Sequence, residues 1–279
     1  METPFPPFDP HGTQDPRGPR LREIPVRLIV PNLVTLLAIC AGLTGVRLAF
    51  EHRFETAVIM VLTAAFLDGV DGRLARMLKA TSKFGAQMDS LADIVNFGVA
   101  PALVLYAYML DDIGSFGWIA ALIYVIAIGL RLARFNVLSL SDNQPTWRSR
   151  FFTGVPAPAG AGLVMLPVYL GFIGLPHTPA VPIVASIYVI VIAVLVVSRL
   201  PVFSGKDVAY AIRRDLVMPL ILALVFYVLL LASFMWETLT LTAAAFIVSL
   251  LFSTRAYTRA EQEHAEENAR QSGNGESAD

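Results

Sequence analysis

Asp68-Gly69-Val70-Asp71-Gly72-Arg73-Leu74-Ala75-Arg76, followed by Gly85, Asp89 and Asp93 at four-residue steps, is the stretch around which this chain is organised. Its four acidic side chains lie between segments that are otherwise almost wholly apolar. On a helix of about 3.6 residues per turn, positions 68, 71, 72, 75 and 76 share one face, and so do 85, 89 and 93. Two helices joined by a short basic turn can therefore aim all four carboxylates at one point.

Carboxylates packed that closely repel one another, and a single charge inside a bilayer costs about 2.5–3.5 kcal/mol or more. A hard divalent cation relieves both problems, and an all-oxygen ligand set suits Mg²⁺ or Mn²⁺. Gly72 and Gly85 lack a Cβ, which lets helix backbone approach a ligand or the other helix. Arg76 lies one turn beyond Gly72, where a guanidinium can fork onto phosphate oxygens. Metal, phosphate-binding arginine and a spare carboxylate together make a phosphoryl-transfer kit. The same residues also suit buried ion pairs that hold helices in register, or a cation or proton path.

Composition places this stretch in a membrane. Of the 279 residues, 56% are hydrophobic and 15% charged, and the mean hydropathy is +0.63. Soluble domains carry about 25% charged residues, so the chain reads as a polytopic integral membrane protein. Apolar segments follow one another at 28–50, 54–76, 86–110, 116–138, 155–174, 181–200, 216–235 and 237–254. Each is near the length that crosses a bilayer as a helix, and the alternation of a membrane β-barrel is absent. The expected fold is an all-α bundle of about eight transmembrane helices. Trp236-Glu237 marks a tight hairpin between the last two. The sole cysteine, Cys40, lies in an apolar run and has no internal disulfide partner.

Residues 1–20, rich in proline, glycine and charge, read as a disordered arm, and Leu21–Arg27 as either a short amphipathic lead-in at the membrane surface or a plain linker. No small-residue cleavage pattern follows the first apolar run, so no cleavable signal is expected. The membrane domain spans 21–254, and 255–279 is a polar tail. With the N-terminus inside, only Arg47 and Arg53 of the 21 lysines and arginines fall outside. That bias predicts cytoplasmic termini and puts the Asp cluster at the inner leaflet. Asp111 and Asp112 fall on the opposite side and read as a solvated turn.

Further polar groups mark the same inner level. Pro31-Asn32-xx-Thr35 opens the first span, where Asn32 and Thr35 suit either helix packing or ligand binding. Arg131 and Arg134, one turn apart and followed by Asn136, end the fourth span. They suit either ordinary inner-end snorkelling or a carboxylate or phosphate clamp. Phe151-Phe152-Thr153-Gly154-Val155-Pro156-Ala157-Pro158-Ala159-Gly160 re-enters the membrane as a stiff turn. Arg199 and Lys206 read by themselves as inner-end charges.

The spacing D-x2-D-G-x2-A-R-x8-G-x3-D-x3-D, with eight fixed residues over 26 positions, resembles the signature of the CDP-alcohol phosphatidyltransferases. Arg131-Leu-Ala-Arg-Phe-Asn136, the Phe151–Gly160 loop and Ser198-Arg-Leu-Pro-Val-Phe-Ser-Gly-Lys206 make it similar to the phosphatidylserine synthase branch, over about 24–235. The resemblance implies a six-helix core with two C-terminal helices added. It implies Asp68, Asp71, Asp89 and Asp93 around one or two Mg²⁺ or Mn²⁺ ions, with Asp93 also the general base. CDP-diacylglycerol would meet Asn32, Thr35, Gly72, Ala75, Arg76 and Gly85. L-serine would meet Arg131, Arg134, Asn136, Thr153, Arg199 and Lys206. The implied partners are those two substrates, membrane lipid and a second copy of the chain, with no nucleic acid. The same chemistry on glycerol 3-phosphate or inositol phosphate remains open, as does a non-enzymatic ion or proton carrier.

Overall fold

The computed structural model describes residues 26–79, 82–139, 151–176, 178–198, 201–203 and 214–250. The N-terminal arm, the C-terminal tail, Arg199 and Lys206 lie outside the described residues. Helix α1 (Val26–Phe50) and α2 (Phe54–Met77) form an antiparallel hairpin. The third apolar segment is one rod in three parts: α3 (Lys83–Asp93), a π-helical turn (Ile94–Val99) and α4 (Ala100–Tyr108). After a 3₁₀ turn (Leu110–Ile113), α5 (Ser115–Ser139) returns. The fifth segment divides into α6 (Ala157–Val164) and α7 (Leu166–Ile173), and the sixth is α8 (Ala180–Val197). Then come α9 (Arg214–Ser233) and α10 (Met235–Leu250). Four stretches, Ile29–Phe50, Phe84–Tyr108, Ser115–Val137 and Ala180–Val197, are long and apolar enough to cross a membrane, and the shorter apolar helices accompany them. The protein is therefore an integral membrane protein built from helices.

The α1–α2 hairpin is a seam of small residues. Pro31, Thr35, Ala38, Gly42, Gly45 and Ala49 recur at alternating steps of four and three and are all buried. Ala57, Val61, Ala64 and Asp71 are buried on the facing side of α2. The backbones come so close that a Cβ on Gly45 would sit 2.9 Å from the Ala57 carbonyl oxygen. Small residues permit this approach where apolar burial between lipid-bathed helices contributes little. The seam brings Thr35 opposite Asp71, with a consequence for the site below.

Two interruptions of the helices come from proline, and each has a repair. A proline lacks the N–H that the carbonyl four residues earlier would accept, and its ring crowds that carbonyl. Pro101 so frees Phe97; the π-turn opens just upstream, with Ala100 N–H reaching back to Val95. The buried Tyr124 hydroxyl of α5 donates to the Phe97 carbonyl at 2.9 Å. Pro167 frees Leu163 at the α6–α7 break, and Tyr188 of α8 donates there, also at 2.9 Å.

One local element departs from the all-α expectation. Phe151–Thr153 and Pro201–Phe203 pair antiparallel as a two-stranded ribbon, Phe151 opposite Phe203 and Thr153 opposite Pro201. Gly154 follows with φ +84°, and a Cβ there would lie 2.7 Å from the carbonyl oxygens of Val196 and Ser198. Only glycine fits this turn against the end of α8.

At the other end of the bundle, rings meet edge to face: His52 with Phe54, Phe54 with Tyr108, and Tyr108 with Phe172. Trp236 of α10 meets Phe172 at 4.5 Å with the rings tilted 55° and docks the last hairpin there. That hairpin reverses at Phe234, and Tyr227 and Thr242 hydrogen-bond across it at 3.1 Å.

Candidate active site

The end of α2 and the start of α3 put the acidic residues together. Ser82 caps α3, its hydroxyl accepting from the Gly85 N–H at 2.9 Å, so the helix begins where its first face meets α2. Oxygens from Asp68, Asp71 and Asp89 lie within 4.8 Å of one another, the one such acidic group among the described residues. Asp93, one turn deeper on α3, lies beside Asp68 instead.

Asp71 is only 2% exposed. Its Oδ2 accepts from the Thr35 hydroxyl at 2.6 Å, while Oδ1 is buried with no partner among the described residues. A buried carboxylate oxygen without a donor is costly unless a cation completes it. This orphan oxygen and the close triad fit a hard divalent cation held by Asp68, Asp71 and Asp89. Arg76 stands near enough to Asp89 to offset part of its charge, and Arg131 does so for Asp93.

Beside the triad lies a cavity of about 180 Å³ between α1, α2 and α3. Asn32, Thr35, Gly72, Ala75, Arg76 and Gly85 all line it, together with Asp71 and Asp89. A Cβ on Gly85 would fall 3.1 Å from Asn32 Oδ1, whereas one on Gly72 would meet only the Arg76 guanidinium, at 3.8 Å. Gly85 thus serves the helix contact and Gly72 leaves the cavity open.

The α5 residues are more dispersed. Arg131 is half-buried beside Asp93, and its Nε is buried without a hydrogen-bond partner among the described residues. Arg134 donates to the carbonyls of Val197 at 3.0 Å and Ser198 at 3.3 Å, neutralising the free carbonyl end of α8. Asn136 donates to Ser90 of α3 at 3.0 Å. Thr153 enters through its backbone in the ribbon.

One residue at the site escaped the sequence reading. Asn96, fully buried in the π-turn, directs its Nδ2 at Asp68 Oδ1 from 3.4 Å. A Cβ on Gly42 would come within 2.8 Å of the Asn96 amide oxygen, so the glycine makes room for it. A lone Asn in the apolar run Ile94-Val-Asn-Phe-Gly-Val99 was the available clue.

Comparison with known proteins places the chain in a family. The family model described as CDP-alcohol phosphatidyltransferase matches residues 28–198. The CDP-diacylglycerol–serine O-phosphatidyltransferase of Mycobacterium leprae is 50% identical over 157 residues, 55% of this chain and 52% of that protein. The protein of the same name from Helicobacter pylori strain J99 is 36% identical over 211 residues, 71% of this chain and 81% of its own length. That from Methanocaldococcus jannaschii is 30% identical over 196 residues, covering 70% and 84%. The chain thus spans about half the length of the mycobacterial relatives it matches. With its acidic motif gathered beside one cavity inside the matched region, the chain belongs to the CDP-alcohol phosphatidyltransferase family.

Proposed function

We propose that the protein transfers the phosphatidyl group of CDP-diacylglycerol to the hydroxyl of L-serine, giving phosphatidylserine and CMP. The observation that carries this reading is the Asp68–Asp71–Asp89 triad opening on a cavity lined by Asn32, Arg76 and Gly85. The names of the relatives support serine as the acceptor.

In this mechanism the cavity holds the cytidine diphosphate part of the donor, with Asn32 towards the nucleotide and Gly72 and Ala75 leaving room for the pyrophosphate. Arg76 pairs with phosphate oxygens. A bound divalent cation, Mg²⁺ or Mn²⁺ on the three carboxylates, would supply charge neutralisation for the pyrophosphate. Asp93 takes the proton from the serine hydroxyl, a weak nucleophile at neutral pH. The serine oxygen bonds to the phosphorus that carries diacylglycerol, the pyrophosphate P–O bond breaks, and CMP departs with the electron pair. Arg131, beside Asp93, holds the serine carboxylate. Asn136, Thr153, Arg199 and Lys206 are assigned to the serine acceptor by the resemblance, the last two lying outside the described residues, and Arg134 supports the acceptor side from the end of α8.

The chain crosses the bilayer eight times, with α3–α4 and α6–α7 each counted as one crossing. Both termini and the site face the cytoplasm, supported by the segregation of lysine and arginine. Residues 21–254 are the membrane domain, and a second copy of the chain is its partner. Purified protein supplied with CDP-diacylglycerol, Mn²⁺ and labelled serine, glycerol 3-phosphate or inositol phosphate tests the activity. Serine alone should be converted, with matching CMP release. Conversion of a phosphorylated alcohol instead would move the assignment to that acceptor, and ion flux without CMP release would abandon the enzyme reading.

A further inference from the structure

Thr35 belongs by sequence to the segment assigned to the nucleotide, yet its hydroxyl is already engaged. It lies 2.6 Å from Asp71 Oδ2 and 3.1 Å from the Pro31 carbonyl oxygen. A hydroxyl has one hydrogen, and both neighbours are pure acceptors. The shorter contact, in the range of a hydroxyl bound to a carboxylate, takes it. Both partners are nearly inaccessible, Thr35 at 4% and Asp71 at 2% exposure.

The consequence for Asp71 is a choice of oxygen. Oδ2 is tied sideways to α1, and Oδ1 is left buried without a donor among the described residues. Without the tie, the carboxylate is free to rotate about its Cβ–Cγ bond and present either oxygen, or both, at varying angles. The register of the α1–α2 seam makes the tie possible: close packing at Gly42 and Gly45 brings α1 near enough for a side chain as short as threonine.

We propose that Thr35 is a positioning residue for the cation site, locking Asp71 so that a single oxygen faces the triad, and not primarily a contact for the nucleotide. This rests on the reading of Asp68, Asp71 and Asp89 as a metal centre. Outer hydrogen bonds that orient ligating carboxylates are commonly worth about 10–100-fold in metal affinity.

The test is Mn²⁺ binding by the full-length protein in detergent micelles without substrates, free Mn²⁺ being read by its paramagnetic resonance signal. The wild type and Asp89→Asn come first, because they test the metal centre independently of Thr35. A wild type that binds no Mn²⁺ refutes the centre and this proposal with it. Given wild-type binding that Asp89→Asn abolishes, Thr35→Val should weaken Mn²⁺ affinity by about 10–100-fold. Thr35→Ser, which keeps the hydroxyl, should restore most of it. At saturating Mn²⁺ the KM of Thr35→Val for CDP-diacylglycerol should stay near wild type. Unchanged Mn²⁺ affinity with a raised KM would overturn the proposal in favour of a nucleotide contact. Failure of Thr35→Ser to restore affinity would overturn it in favour of packing. If Thr35→Val does not fold, Thr35→Ala takes its place with the same outcomes.

Discussion

Replacing Asp93 by Asn separates the two roles that its spacing leaves open. The three oxygens of Asp68, Asp71 and Asp89 already lie within 4.8 Å of one another without it. Asp93 touches Asp68 and faces Arg131. Removing its charge leaves that ligand set in place, so Mn²⁺ affinity should fall by no more than the roughly 10–100-fold of a lost supporting contact. The chemical step should slow by about 10²–10⁴-fold, the usual worth of a positioned acid or base. At about 1.36 kcal/mol per factor of ten, that is about 2.7–5.4 kcal/mol of barrier. The assay measures CDP-diacylglycerol binding and turnover on one preparation across a Mn²⁺ titration, with Asp89→Asn as the counter-case. Asp93→Asn should bind the donor and stay slow at saturating metal, whereas Asp89→Asn should lose metal. Recovery of the Asp93→Asn rate at high Mn²⁺ would refute the base assignment and make Asp93 a fourth ligand.

Other substitutions test the scaffold around the site. Gly45→Val places a side chain 2.9 Å from the Ala57 carbonyl oxygen. It should destabilise by about 1–3 kcal/mol, seen as a lower Tm than for Gly129→Ala, where a Cβ meets nothing. Tyr124→Phe strands the Phe97 carbonyl beside Pro101 and should cost about 1–3 kcal/mol, measured by thermal unfolding. Arg134→Ala uncovers the carbonyls that end α8; Tm should fall and the KM for both substrates rise together. A rise for serine alone at unchanged Tm would return Arg134 to the serine carboxylate. Arg131→Ala should raise the KM for serine more than that for CDP-diacylglycerol, and equal effects would point to packing.

The acidic motif was legible because its spacing is helical: steps of three and four fix which carboxylates share a face, and only their mutual approach needed the structure. That Asn32, Thr35, Gly72, Ala75, Arg76 and Gly85 line one cavity was expected from the resemblance alone, since spacing leaves Asn32 and Thr35 open to packing or binding. The apolar lengths gave the helices to within a few residues, with 86–110 found as Phe84–Tyr108. What the pattern did not contain were the breaks. Pro101 and Pro167 were visible, but the carbonyls they free are repaired by tyrosines from helices remote in sequence. Arg134 shows the same limit. One helical turn from Arg131, it looks like the second arm of a clamp, yet the end of α8, brought near by packing, offers it carbonyls. Asn96 stayed hidden because one amide in an apolar run has no spacing to read.

The ring contacts around Phe54, Tyr108, Phe172 and Trp236 also act as a depth mark. The Tyr108 and Trp236 rings among them are of the kind that settles at the boundary between hydrocarbon and headgroups. Fourteen residues of α2 separate Phe54 from Asp68, about 21 Å of helix at about 1.5 Å per residue. With the hydrocarbon layer about 30 Å thick, the proposed eight-crossing arrangement would put Asp68 roughly 9 Å short of the far boundary, and further short if α2 is tilted. The phosphates of a lipid donor ride above that boundary. For the two to meet, either the donor sinks out of its own leaflet or the leaflet thins around the end of α2. Under the proposed function, turnover would then depend on acyl-chain length in the host bilayer as well as in the substrate, with thick membranes holding the headgroup away from the carboxylates that await it.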